Sequence, residues 1–410
     1  MSFFTLAISS SNHHSCVCLL EDNKVVVAFP CERTIREKAT SKITQKDIDI
    51  IASYTKRIDL LVMVNMSRVV RRSERLEIGA FVRSDTVEKV RKQIEDAGIA
   101  FGTVLFDNSH HHLYHAIAGF YMSGFDKALC LVIDGIGTQY YWKGDAETSG
   151  ILSETTTIFN IEHNKPKMLF QTLFKNLYYI PDSKGYVGLS DKSIDEFRAT
   201  LDYPNTVYPS LDIGKMYGTI TRHIGLGSSN EAGKTMGLAA YGRPNKLPPM
   251  LYGDTIIADS NFFRADGQLN SMIFPELKDR SYTTRQNLAF NVQRATEKVF
   301  VERVKQALEL KKCDNLVIGG GCSLNILANS NVKKAFPSLN VFIEPIGSDA
   351  SQAIGAALFH YTLACGDRND FDFSNLFLGP EYSIVETKDK LLKLVEQYNN
   401  ESSLPVSSNP

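Results

Sequence analysis

DNSHHHLYHAIAGFYMSGFDKALCLVIDGIG (Asp107–Gly137) decides how the rest of the chain is read. It carries three consecutive histidines, His110 to His112, followed by His115. If Leu113–Met122 is helical and the helix begins a turn earlier, His111 and His115 stand at i and i+4 on one face. Two imidazoles so placed can share a metal ion; a run of surface or capping histidines is the plainer alternative. After a short gap, the apolar run Ala128–Ile133 predicts a buried strand ending in Asp134-Gly135-Ile136-Gly137. Such a strand-end turn suits phosphate or metal binding.

Outward from this stretch the pattern doubles. Before it, residues 4–9, 15–20 and 24–30 are short, β-rich segments separated by turn formers, a three-strand meander. A strand at Leu60–Val64, a helix at Asp85–Ala97 and a strand at Val104–Phe106 follow. After it, 128–134, 138–144 and 151–161 read as a second meander. A helix at Asn287–Leu310 and strands at Asn315–Ile318 and Asn340–Glu344 complete the second copy. This predicts an α/β, duplicated actin-like ATPase/sugar-kinase fold, two lobes with a central cleft. The first lobe spans 1–125 and the second 126–366, with irregular insertions at about 162–212 and 243–285. Residues 367–410 read as a linker with one helix, Thr387–Tyr398, and a polar tail from Glu401.

Composition narrows the function. The 410 residues carry a formal net charge of -1, with 43% hydrophobic and 22% charged residues. This balance gives no strong nucleic-acid signal, although Arg68–Arg75 (RVVRRSER) is locally basic. No apolar run approaches the roughly 18 residues of a membrane span. The segment Phe3–Ile8 is too short, and lacks the positive flank, for a secretory signal. Seven cysteines without a C-x-x-C spacing argue against a disulfide framework or cysteine zinc site. A cytoplasmic, reduced protein is expected.

Three further strings carry candidate chemistry. Gly233-Lys234-Thr235 is not a P-loop, because Ser228 stands where that loop requires glycine. Lys234 beside a glycine can still approach a phosphate, or the string is a surface turn. Gly319-Gly320-Gly321-Cys322-Ser323-Leu324-Asn325 follows a strand and precedes helix-permissive sequence. Such a turn can lie against a base or ribose, or be a plain tight turn. Asp349 sits in a strand-to-helix turn. It is either a helix cap or the carboxylate that completes a two-His, one-carboxylate metal site with His111 and His115. Iron is the first expectation for the ion, with zinc or manganese as alternatives. Asp134 is a further ligand or a group that orients one.

Together these strings resemble the carbamoyltransferase family of nodulation and antibiotic O-carbamoyltransferases. The matching segments are Asn12-His13, Cys31-Glu32-Arg33 with Lys38, HHLYHA (111–116), IDG-x-G (133–137) and GK-x-MGLAAYG (233–242). GGGCSLN (319–325), GSDASQAIGAAL (347–358) and LGPEYS (378–383) continue them in family order. His14 stands where the family usually has an aspartate. The resemblance implies a lobe related to tRNA threonylcarbamoyl-transfer proteins and a metal on His111, His115 and Asp349. It also implies transfer of a carbamoyl group from carbamoyladenylate to a hydroxyl of a small molecule, sugar or modified nucleobase. The adenylate comes from ATP and carbamoyl phosphate at a YrdC-like domain, expected here in a separate partner or a longer form of the chain. On this reading Asp134, Gly135, Gly137, Gly319, Gly320 and Asn325 contact the nucleotide, with Lys234 toward its phosphate. His13 is the candidate general base, and Lys38 joins it as a candidate catalytic residue. The alternatives are a threonylcarbamoyl-transfer protein, a kinase or ATPase of the same fold, and a non-catalytic remnant.

Overall fold

The computed structural model describes residues 2–10, 13–65, 69–70, 84–143, 149–176, 178–180, 185–187, 195, 198–208, 211–264, 268–366 and 376–401. In the first half, strands β1 (Phe4–Ser9), β2 (Cys16–Glu21), β3 (Lys24–Pro30), β4 (Arg57–Val64) and β5 (Ala100–Asp107) form one sheet in the order β3-β2-β1-β4-β5. Helices α1 (Gln45–Tyr54) and α2 (Ser84–Asp96) connect them. Helix α3 (His111–Ser123) leads into β6 (Lys127–Ile133), and the second sheet begins there.

The second sheet repeats the plan with one correction to the sequence reading. Strands β6 and β7 (Gln139–Lys143) are not neighbours. Both pair antiparallel with β8 (Ser149–Glu162), β6 along 156–162 and β7 along 149–153, so they lie end to end. The third meander strand is β9 (Lys165–Asn176), inside the segment expected to be an irregular insertion. The turn into it, His163-Asn164, has φ of 48° and 62°. Left-handed backbone at both central residues is the twist a two-residue hairpin needs. Without Asn-Gly or Asp-Gly there, and with Lys165-Pro166-Lys167 opening the strand, nothing in the sequence announced it. Short β10 (Asn205–Tyr208) adds to its edge.

Helices α4 (Ile213–His223), α5 (Ala232–Ala239) and α6 (Tyr282–Leu310) cover this half. Strand β11 (Asn315–Gly319), helix α7 (Ile326–Ala335), strand β12 (Asn340–Ile343) and helix α8 (Gln352–Cys365) complete it. The order β9-β8-β6-β11-β12 mirrors β3-β2-β1-β4-β5. In both, the first meander strand has an antiparallel neighbour on one side and a parallel one on the other. This is the duplicated actin-like ATPase and sugar-kinase architecture. The described residues of 243–281 are largely irregular but send Phe262, Phe263 and Leu277 into the second core.

Chain boundaries and packing boundaries differ. Helix α3 packs on β6 and β11 of the second sheet, whereas α8 packs on β1, β2 and β4 of the first. The two helices also pack on each other, and one apolar core runs through both sheets and both helices. Their approach depends on Gly355, where a Cβ would lie 2.0 Å from the Tyr114 carbonyl oxygen. Helix α9 (Ile384–Glu401) contains the expected 387–398 helix. The tail 402–410 and the basic stretch 71–75 lie outside the described residues. No helix among the described residues is long and apolar enough to cross a membrane.

Candidate metal centre and cleft

Helix α3 is buried from His111 to Met122, because it is sandwiched between α8 and the second sheet. Its first turn places His111 and His115 on one face, ring centroids 5.1 Å apart. Asp134 reaches them from the break between β6 and β7, where its N–H still donates to Thr155 and the next ladder bond is Gly137 to Glu154. Asp349 reaches them from the turn after β12, as the first residue of a short 3-10 turn capped by Ser348. The Nε2 of His111 lies 3.1 Å from Asp134 Oδ2 and 3.5 Å from Asp349 Oδ1. The Nε2 of His115 lies 3.8 and 3.9 Å from the same two atoms. One donor atom from each of the four residues falls within 4.8 Å of all the others.

The chemistry of this set fits a divalent cation. At 3.8 Å and beyond His115 Nε2 is out of hydrogen-bond reach, and among the described residues this buried nitrogen has no partner. An orphaned buried nitrogen is costly unless something unseen satisfies it. Its tautomer is fixed from the other side. The one proton of Ser351 Oγ goes to Glu344 at 3.3 Å or to the Ser348 carbonyl at 3.1 Å; either way the hydroxyl accepts from His115 Nδ1–H at 3.2 Å and leaves the Nε2 lone pair facing the centre. His111 is set the same way. Its Nδ1–H donates to Asn65 Oδ1, and that amide's orientation is fixed by donation from Nδ2 to Ser9 Oγ. Asn65 holds φ 57°, a left-handed conformation asparagine tolerates.

The electrostatics agree. Burial favours neutral Asp134 and Asp349, but the imidazoles outweigh it, His111 and His115 at Asp134 and His111, His13 and His115 at Asp349, and hold both carboxyls below their ordinary range. Burial likewise opposes charge on His115, but Asp134, Asp349 and Glu344 raise its pKa above the usual value. These are cation-seeking carboxylates. Cys16 is not a fifth ligand. Its thiol donates to the Asp349 carbonyl, and burial pushes its pKa up to about 12.

Asp134 and Asp349 belong to the wall of a 340 Å³ cleft. Of the residues expected around a nucleotide, Asp134, Gly135 and Asn325 line it. Asn325 caps α7 through Ala328 N–H and exchanges two hydrogen bonds with Gln293. Its amide therefore shapes the wall. Gly319 and Gly320 are not in the lining. A Cβ on Gly319 would meet the His115 backbone, and one on Gly320 the Ile133 carbonyl oxygen at 2.6 Å. Gly137 lies against His112 and Glu154, behind the turn. Lys38 and Lys234 are brought together, but on Glu231, at 2.9 and 2.8 Å. The string 233–242 opens as helix α5 rather than a surface turn.

His13 does line the cleft, its Nδ1 3.4 Å from Asp349 Oδ2 and 2.9 Å from His14 Nδ1. Two facing nitrogens need one proton between them. Burial, and then His13, lower the pKa of His14, which favours its neutral form. Sequence reading missed Lys215, Tyr217 and Arg222, which α4 turns toward the cleft, because a helix pattern does not say which face meets a cavity. It also missed Asn65, Glu344 and Ser351.

The fold and the centre define a mixed α/β protein with an interlobe cleft that ends at a two-histidine, two-carboxylate site. Residues 5–358 match the profile described as carbamoyltransferase N-terminus, and the chain belongs to that family. It is 24% identical over 401 residues to an uncharacterised Synechocystis protein, covering 86% of this chain and 56% of the relative. It is 23% identical over 368 residues to the nodulation protein NolNO of Sinorhizobium fredii, covering 84% and 46%. The chain thus spans about half the length of the curated relatives it matches. Among solved structures, HypF of T. kodakarensis aligns with a TM-score of 0.51 at 13% identity, over 92% of this chain and 49% of HypF. A full-length HypF in the phosphate- and nucleotide-bound form gives 0.50 at 10%, over 90% and 56%. At such identities the likeness is one of fold. Family membership supports a transferase.

Proposed function

We propose that this chain transfers a carbamoyl group from carbamoyladenylate to a hydroxyl acceptor in the interlobe cleft. The observation that carries the reading is the convergence of His111, His115, Asp134 and Asp349 on one point of the cleft wall, in a chain of the carbamoyltransferase family. These four residues would hold a divalent metal, iron by first choice. Nitrogen and oxygen donors of this kind suit iron, zinc or manganese. Bound there, the ion supplies Lewis-acid stabilisation of negative charge on the carbamoyl oxygen or the departing phosphate.

The protein's own groups do the rest. The acceptor oxygen bonds to the carbamoyl carbon, the bond from that carbon to the phosphate oxygen breaks, and AMP leaves with the bonding pair. His13 takes the acceptor proton, with the His14 ring beside it at 2.9 Å. Lys215 and Arg222 supply positive charge along the cleft for the phosphate. A YrdC-like site supplies the adenylate.

The test has two parts. Wild-type protein should carry about one metal ion per chain, and His111→Ala, His115→Ala and Asp349→Ala should carry under about a tenth of that. Given preformed carbamoyladenylate and a panel of alcohols, wild type should release AMP and form a carbamate, and His13→Ala should slow this about 100-fold. With ATP and carbamoyl phosphate alone, product should appear only when a YrdC-like protein is added. Equal metal in all four proteins, or none, refutes the site.

A further inference from the structure

Glu344 follows β12, is fully buried, and has no part in the chemistry proposed above. Burying a carboxyl is costly unless its oxygens are hydrogen-bonded, and burial does hold its pKa above the usual value. Three donors offset that cost. Oε1 accepts from Ile346 N–H at 2.9 Å, and Oε2 from Gly347 N–H at 2.8 Å and from Ser351 Oγ at 3.3 Å, a hydroxyl whose one proton it shares with the Ser348 carbonyl at 3.1 Å. The two backbone bonds span the turn that delivers Asp349, a turn made left-handed at Gly347, with φ 58°. The hydroxyl bond continues to His115, whose Nδ1–H donates to Ser351. The other histidine is oriented by the neutral amide of Asn65. One carboxylate therefore touches the supports of two ligands that lie 234 positions apart in the chain, His115 and Asp349.

We propose that Glu344 is the positioning residue of the metal centre, fixing Asp349 through its turn and His115 through Ser351. The proposal rests on the reading of the four-residue cluster as a metal site. Its mechanism is geometric. With Ser351 engaged, the His115 ring has one tautomer and one orientation; with the turn engaged, Asp349 has one reach. Supports of this kind are worth about 10- to 100-fold in metal affinity.

Glu344→Gln keeps the shape but turns an NH2 toward a donor, so at least one of the three bonds is lost. Ser351→Ala removes the His115 branch, together with the hydroxyl's bond to the Ser348 carbonyl, and leaves the two Glu344 bonds to the turn backbone. Cobalt(II) is titrated into metal-stripped full chain, reading the Kd and the visible absorption of the bound ion. Wild type is expected to bind one cobalt, Ser351→Ala about 10-fold more weakly with a changed spectrum, and Glu344→Gln weaker still. If both variants bind with wild-type affinity and spectrum, Glu344 does not position the site. If they lose thermal stability but the spectrum is unmoved, its role is only structural and the proposal is equally overturned. Should Glu344→Gln fail to fold, Ser351→Ala decides. Cobalt that wild type refuses overturns the metal reading itself, and the proposal with it.

Discussion

The first sheet and the second run their core strands in the same order, with the same parallel and antiparallel neighbours, yet they furnish the cleft unequally. In the first half the ends of β1 and β4 lead to His13 and Asn65, a candidate base and a support, and the end of β5 leads into α3 with His111 and His115. In the second half the equivalent ends, after β6, β11 and β12, lead to Asp134, to the Gly320–Gly321 turn and to Asp349. Open α/β sheets place ligands beyond the carboxyl ends of their strands. Duplication doubled those ends, and the two sets diverged: the first supplies the imidazole ligands with a candidate base and a support, the second the carboxylate ligands and a glycine turn. The helices are exchanged as well: α3 lies on the second sheet and α8 on the first.

That exchange gives the largest expected effect. Gly355→Val would drive a side chain into the Tyr114 carbonyl where α3 meets α8, and should cost about 3 kcal/mol or prevent folding. Chemical denaturation of the variant checks this. If it unfolds like wild type, the two halves are not coupled through these helices.

A pH effect separates the two faces of α3. His112 points away from the metal ligands, with Nδ1 2.8 Å from Thr157 Oγ1, and its ring is fully buried. Burial pushes its pKa down to about 4, from 6.5 when unfolded. The unfolded chain therefore binds the extra proton first, so stability falls as pH drops from 6.5 to 4. The loss is about 3 kcal/mol across that window. His112→Asn should flatten this part of a stability–pH curve by close to one proton; an unchanged slope would remove His112 from the account.

The support in the first half can be weighed alone. Asn65→Ala leaves His111 Nδ1 without its acceptor and puts alanine in a left-handed conformation. Metal affinity should fall about 10-fold, with about 1 kcal/mol of stability. Asn65→Gly should recover the stability and not the affinity, as titration and thermal melts would show. The smallest effect belongs to Glu231. Its bridge from Lys38 in one half to Lys234 in the other is solvent-exposed, so Glu231→Gln should leave the melting temperature unchanged at any salt concentration. A clear drop would mean that this bridge holds the halves together.

Much of this was legible in the sequence, and the misses have physical reasons. The i, i+4 histidines, the Asp134 turn and the Asp349 turn are local patterns, and helix α3 and the first meander fell where the sequence placed them. Strand β9 did not, because its hairpin uses His163-Asn164 and its twist comes from backbone that glycine usually signals. Asn65 carried no local mark at all, since its conformation is imposed where β4 meets α3 and α8. Glu344 read only as the last residue of a strand. Its meaning comes from Ser351 and His115, which the fold brings to it.

The position of Asp134 has a mechanical consequence. It occupies the gap in an otherwise continuous ladder, between β6 and β7, while the histidines ride on α3 and Asp349 sits at the entrance to α8. An ion there would rivet three parts that a cleft of this kind would otherwise slide past one another. Stripping the metal should therefore loosen the jaw as well as silence it, and amide exchange in α3 and α8 should quicken well before the outer strands respond.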